Sequence, residues 1–131
     1  YHKDKVIVDL KVLKDFSPIW VPGQGHVNFV EYWGYDQQGA IYQEVERQNR
    51  NYSNTKLPFF LAAATKEKPE PDICIFAIPQ ERLDFCLEVV RSNIRRYAQI
   101  KKGEIPPTRC GKCDYCRATK KLTEVKVYWE E

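Results

Sequence analysis

The hydrophobic pattern opens with a strand. In VIVDLKVLKD, Val6, Ile7, Val8, Leu10, Val12 and Leu13 supply the branched and aliphatic side chains of a buried strand over residues 5–14. Asp9 and Lys11 interrupt it two residues apart, so both project from one face. SPIW (17–20) predicts a short extended piece, and VPGQGH (21–26) a loop set by Pro22, Gly23 and Gly25. Over 34–50 the period changes: Tyr35, Gln38, Tyr42 and Val45 recur along one side of a helix. NYSNT (51–55) is a turn cluster. LPFFLAAAT (57–65) and ICIFAI (73–78) predict two buried strands, paired as an antiparallel hairpin across the charged, proline-bearing KEKPEPD (66–72). After Pro79 a long helix over 80–102 presents Leu83, Leu87, Val90, Ile94 and Tyr97 as its apolar stripe, and Gly103 ends it. A short helix is expected near 114–121, and TEVKVYW (123–129) alternates like a final strand or an extended tail. The order predicts an α/β fold with a mixed central β-sheet flanked by helices.

The length, 131 residues, suits one domain with a modest core, in which residues 104–131 form a basic, cysteine-containing C-terminal segment. No apolar run approaches the roughly 18 residues of a membrane span, so no membrane partner is expected. The chain runs into strand almost at once and has no Met, which points to a fragment of a longer protein. The net charge of +3 is unevenly spread. Residues 1–90 hold 10 Lys and Arg against 13 acids, whereas residues 91–121 hold 10 against 2. A basic block of this kind is either a solvated helix face or a surface for a polyanion such as DNA. Arg91, Arg95, Arg96, Arg109, Lys112, Arg117, Lys120 and Lys121 are its candidate backbone contacts.

Five cysteines divide into two kinds. Cys74 and Cys86 lie in apolar settings and read as small core residues. Cys110, Cys113 and Cys116 form C-x-x-C-x-x-C, a spacing at which thiolates grip one metal from successive turns. A tetrahedral site wants four ligands and three are present, so an iron–sulfur cluster, zinc and no metal all stay open. An odd cysteine count fits a disulfide framework poorly and suggests a reducing, cytoplasmic compartment.

Asp9 and Lys11 are the candidate chemistry of the first strand. A carboxylate binds a hard divalent cation through oxygen, and a neighbouring ammonium steers a water or offsets charge growing on a phosphate. The plain alternative is a structural ion pair. Gln38 and Tyr42, four apart on the following helix, share a face as Q-x-x-x-Y. An amide there bonds a phosphate oxygen or a water, and a phenol bonds a phosphate or stacks on a base. Trp20, Trp33 and Tyr35 fall near this candidate cleft and read as core or loop packing rather than as base contacts.

Taken in order, VIVDLKVLKDFSP, GYDQQGAIY and FFLAAATKEKPEPDICIF resemble the PD-(D/E)XK nucleases, and within them the phage-type exonucleases similar to exonuclease VIII (RecE). The resemblance covers nearly the whole chain. It implies a restriction-endonuclease-like core in which Asp9 binds Mg²⁺ or Mn²⁺ and Lys11 is the catalytic lysine. Gln38 and Tyr42 become the helix motif of exonucleases that act at DNA ends. It also implies a second acid about ten residues before Asp9. Asp4 stands only five before it, in what reads as a hairpin turn. The core is therefore expected to lack its N-terminal part, with that acid lying before Tyr1. The resemblance further implies DNA as partner, phage-type recombination alongside a single-strand-annealing recombinase, a homo-oligomer, and the cytoplasm of a bacterial or phage-infected cell. Two other readings stand beside this one. They are a non-catalytic nucleic-acid-binding module on a decayed nuclease fold, and a cysteine metal module in which D-x-K is incidental.

Overall fold

A computed structural model describes residues 2, 3, 5–123, 125 and 127. The candidate Asp4 and much of the 123–129 tail lie outside the described residues. The chain divides into two compact units, residues 1–94 and 95–131, with the boundary inside the long helix.

In the first unit, β1 (His2–Lys3), β2 (Val6–Leu13), β5 (Phe59–Thr65) and β6 (Ile73–Ala77) form one sheet in the order β1-β2-β5-β6. β2 and β5 pair in parallel; the other two pairings are antiparallel. The connection from β2 to β5 carries a small hairpin of β3 (Ile19–Val21) and β4 (Gly25–Val27), then α1 (Phe29–Tyr32) and α2 (Tyr35–Asn49). The segment read as a plain loop, 21–26, thus holds the end of β3, the turn and most of β4. The α/β class, the mixed sheet and its flanking helices are as the pattern predicts.

Strand alternation sorts this sheet into two faces. Ile7, Phe59, Leu61, Ala63 and Leu13 point to the helices and are buried. They divide between two clusters. Ile7 and Phe59 meet Ala40, Leu57, Leu83, Cys86 and Leu87, while Leu13, Leu61 and Ala63 meet Phe29. Phe16, Phe29 and Phe76 knit the second cluster with ring centroids 5.2–5.7 Å apart. Asp9 and Lys11 occupy the gap between Ile7 and Leu13 on this same face.

On β2, β5 and β6 the opposite face is apolar: Val8, Leu10 and Val12 on β2, Phe60, Ala62 and Ala64 on β5, Ile73, Ile75 and Ala77 on β6. Leu10, Val12, Ile73 and Ile75 are each more than half exposed. The expectation of a buried strand over 73–78 is therefore corrected, since β6 is an exposed edge and Cys74 is exposed with it. The hydrophobic sequence is right for a covered strand; among the described residues of the first unit nothing covers this side.

α2 buries a face unlike the one its aromatic spacing suggests. Asp36, Gly39, Ala40 and Gln43 are buried, while Tyr42 and Val45 are about half exposed. Buried polar groups require partners, and both have them. Gln43 donates to the Leu57 carbonyl at 2.7 Å and exchanges hydrogen bonds with the Gln80 amide at 2.8 Å. α3 (Gln80–Lys101) packs Leu83, Cys86 and Leu87 inward, but Ile94 and Tyr97, expected on the same stripe, are 58% exposed.

Gly39 allows α2 to lie against β5. A Cβ at this position would stand 2.6 Å from the Phe59 ring, which is itself fully buried and has no room to yield. Gly39→Ala gains about 1 kcal/mol of helix propensity but incurs overpacking of about 1–3 kcal/mol. With so close an approach the clash wins, and urea denaturation is expected to show a less stable protein with an unchanged m-value. A more stable variant would mean that Phe59 rotates away freely.

Candidate active site

Asp9 and Lys11 reach the site from the middle of β2, paired through Leu61 and Ala63 of β5, so their backbone is held in a ladder. Lys11 Nζ lies 2.9 Å from Asp9 Oδ2, and the two side chains are only 21% and 18% exposed. Asp9 Oδ2 is nonetheless a buried oxygen without a hydrogen bond; the ammonium is close but off hydrogen-bonding geometry. A buried carboxylate oxygen with spare acceptor capacity suits a hard divalent cation, so the donor fits the Mg²⁺ or Mn²⁺ expected at Asp9. Lys11 Nζ also stands over the Tyr35 ring, 4.9 Å from its centroid.

α2 crosses this part of the sheet in the opposite sense to β2. Tyr35, at its start, meets Lys11; Ala40, further on, packs with Ile7 in the first core cluster; and Tyr42 and Ile7 line one cavity. Gln38 lies between, on the stretch of helix that passes the D-x-K pair, and its Nε2 donates to Tyr42 Oη at 2.7 Å. The four residues singled out from sequence therefore form two coupled pairs, acid with amine and amide with phenol, on adjoining elements.

What holds α2 in place was not legible in advance. Asp36, 2% exposed, accepts from Arg82 of α3, with Oδ2 2.7 Å from Nε and 2.6 Å from Nη2. Arg82 also meets Glu31 of α1 at 2.7 Å, so one guanidinium ties three helices together. Nearby, burial foremost, with the Asp36 carboxylate adding to it, pushes the Cys86 thiol up to about 11, which keeps it inert. Sequence gave a usable signal only for α1, where Asn28 caps the helix by accepting from the Val30 N–H and Glu31 follows three residues later.

The basic residues have varied company. Within the first unit, Arg91 is shared between Glu88 and Glu44 at 2.8 and 3.4 Å. Within residues 95–131, Arg96 donates to Thr108, Arg117 pairs with Asp114, and Arg95, Lys112, Lys120 and Lys121 are exposed. Arg109, though exposed, donates to the Cys116 carbonyl at 2.9 Å and the Thr119 hydroxyl at 2.6 Å. It braces the cysteine loop.

In that loop Cys110, Cys113 and Cys116 bring their sulfurs within 4.8 Å of one another. Gly111, at φ 74°, allows the chain to reverse there. The Cys113 N–H points at Cys110 Sγ at 3.3 Å, and the Cys116 N–H at Cys113 Sγ at 3.4 Å, starting α4 (Asp114–Ala118). Backbone N–H groups of Lys112 and Cys113 bring the Cys110 thiol down to about 6. Sulfurs about 2.3 Å from one tetrahedral zinc stand about 3.8 Å apart; Cys110 and Cys116 are at 3.9 Å.

A mixed sheet whose central strand carries an acid and a lysine two apart, opposite an amide–phenol helix, has the layout of a PD-(D/E)XK domain. Residues 1–119 match the family described as "PDDEXK-like domain of unknown function (DUF3799)", and the chain belongs to that family, within the PD-(D/E)XK nuclease superfamily. A crystal structure from Eubacterium rectale, described as an exonuclease by inference, is 44% identical to it with a TM-score of 0.75. The match covers 97% of this chain and 47% of that one, so the chain spans about half the length of this relative. None of the curated proteins compared matches the chain. Among the described residues no helix is long and apolar enough to cross a membrane.

Proposed function

We propose that the chain carries part of the catalytic centre of a metal-dependent DNA exonuclease, with Asp9, Lys11, Gln38 and Tyr42 as its working residues. The observation that carries this reading is the buried, unbonded Oδ2 of Asp9 beside the Lys11 ammonium. Mg²⁺ or Mn²⁺, when bound at Asp9, supplies the positive charge that activates water and draws charge from the phosphodiester. Lys11 orients the attacking water and offsets charge on the phosphoryl oxygens. Gln38 and Tyr42, already bonded to each other, hold the scissile strand through its phosphate. An Mg²⁺ site uses one or two carboxylates together with waters and substrate, and this reading gives Asp9 a second acid as its partner on the ion. In the protein carrying that acid, linear duplex DNA is expected to be digested with Mg²⁺ and left intact with EDTA, while closed circular DNA survives. Digestion of the circle would replace end-directed action by internal cleavage; no digestion of either would overturn the reading.

The convergence of three sulfurs favours a second role for residues 95–131, a thiolate metal site holding zinc or an iron–sulfur cluster. Freshly purified protein is expected to contain either zinc by elemental analysis or iron with a visible absorbance shoulder. Substituting Cys113→Ser should abolish whichever is found. Protein free of both metals would leave the loop as a purely hydrogen-bonded structure.

A further inference from the structure

A cavity of about 610 Å³ opens where β2 ends, with Lys14, Ser17, Pro18, Tyr32, Trp33 and Tyr35 among its walls. That volume lies within the usual range of ligand clefts, roughly 300–1,000 Å³. Two of its walls are out of keeping with simple packing. Trp33 is 58% exposed and Tyr32 45%, set edge to face with centroids 4.8 Å apart, and neither belongs to a core cluster. The expectation that Trp33 packs in the core or a loop is therefore not met. Trp33 ends α1, and its backbone rather than its ring makes the cap. Gly34, left-handed at φ 69°, then turns the chain directly into α2, which leaves the indole standing at the rim.

We propose that this cavity receives an unstacked nucleobase from the end of a DNA strand, with the Trp33 indole as its stacking platform; the proposal rests on the nuclease reading above. Every base has a π-face, so an exposed aromatic platform holds a terminal nucleotide without demanding a sequence. The cavity is joined to the chemistry by one side chain. Tyr35 forms part of its wall, and the same ring carries the Lys11 ammonium 4.9 Å from its centroid, with Asp9 2.9 Å beyond. A base seated on Trp33 thus lies one aromatic ring away from the D-x-K pair. The charges suit a nucleotide as well. The Lys14 side chain is 96% exposed at the rim, where its ammonium makes only a loose 3.9 Å contact with Asp15 Oδ2 that the attached phosphate can replace. Asp15, the neighbouring acid, directs Oδ1 to the Ser17 N–H at 2.9 Å. The Ser17 hydroxyl offers a hydrogen bond to a base edge.

The test uses a duplex with a short single-stranded overhang whose last base is 2-aminopurine, in Ca²⁺, followed by anisotropy and by 2-aminopurine fluorescence. Wild-type protein is expected to bind and to quench the terminal base. Trp33→Ala should lose the quench and bind about tenfold more weakly. Trp33→Phe, which keeps a smaller platform, should retain most of both, and circular dichroism should match wild type for both variants. A probe that binds wild type unquenched, or equally well to Trp33→Ala, overturns the base site and leaves the nuclease reading standing; the aromatic rim would then be a contact for a protein. Failure of wild-type protein to bind any DNA end, together with absence of cleavage, overturns both.

Discussion

Lys11→Ala is expected to lower DNA cleavage by about a hundredfold to a thousandfold, the range for loss of a preorganised charge at a transition state, while the protein stays folded. The two consequences separate because they draw on different energies. A thousandfold in rate corresponds to about 4 kcal/mol of lost transition-state stabilisation. The ground-state pair is worth much less. Lys11 and Asp9 keep 21% and 18% of their side-chain surface in water, and the ammonium sits off hydrogen-bonding geometry. An exposed pair contributes on the order of 1 kcal/mol or less; this one is mostly buried, so removing Lys11 also leaves Asp9 without its countercharge and costs about 2 kcal/mol, between that figure and the cost of breaking a fully buried pair. Single-turnover cleavage of linear duplex DNA gives the first quantity and thermal melting the second. Lys11→Arg is expected to rescue melting more fully than cleavage, because a guanidinium can stack on the Tyr35 ring and pair with Asp9, yet its broad planar fork cannot present the single compact charge that the attacking water and phosphoryl oxygens meet. Wild-type cleavage by Lys11→Ala would remove Lys11 from the chemistry and reduce D-x-K to a structural pair.

How far the site was legible depended on the range of the interactions that make it. Asp9 and Lys11 share a face because strands alternate, and Gln38 and Tyr42 share one because they lie four apart; both are local rules readable from spacing. The parallel pairing that sets Asp9 beside Leu61 and Lys11 beside Ala63 follows from two apolar runs flanking a helical stretch. Which side of α2 is buried was not readable from its spacing, for a definite reason. Its aromatic residues look like a core stripe, but Asp36 and Gln43 find partners 46 and 37 residues away, and no local pattern announces an Arg82 or a Gln80. With those partners the polar face is satisfied when buried, and the aromatic face is left for the cleft. β6 failed in the opposite way. Ile73 and Ile75 are correct residues for a covered strand, and their exposure at 76% and 70% reflects what packs on them, which composition cannot report. The exposed Trp33 belongs to the same class: a hydrophobic residue whose surroundings, rather than its type, decide its use.

Arg82→Leu is expected to be the most destabilising of these substitutions, by about 3 kcal/mol or more, the range for stranding a buried charge. Asp36 is the reason. Its side chain is 3% exposed, and Arg82 supplies both the charge and two contacts to Oδ2, leaving Oδ1 to the Gln37 N–H. Removing the guanidinium strands a carboxylate in a position where water cannot replace it. Glu31, the other acid on Arg82, is 44% exposed and is hydrated when released, so its loss adds little. Asp36→Leu combined with Arg82→Leu is expected to recover much of the stability, since exchanging both partners for apolar groups removes the stranded charge. Chemical denaturation of both single variants and the double variant closes the cycle. If Arg82→Leu alone unfolds no more easily than wild type, Asp36 is solvated in solution and the three-helix tie is not what fixes α2. The same cycle bears on activity. α2 carries Tyr35, Gln38 and Tyr42, so a helix released from Arg82 misplaces the amide, the phenol and the ring beneath Lys11 together. Cleavage by folded Arg82→Leu protein is therefore expected to fall although Arg82 touches neither Asp9 nor Lys11, and the double variant should restore it in step with stability.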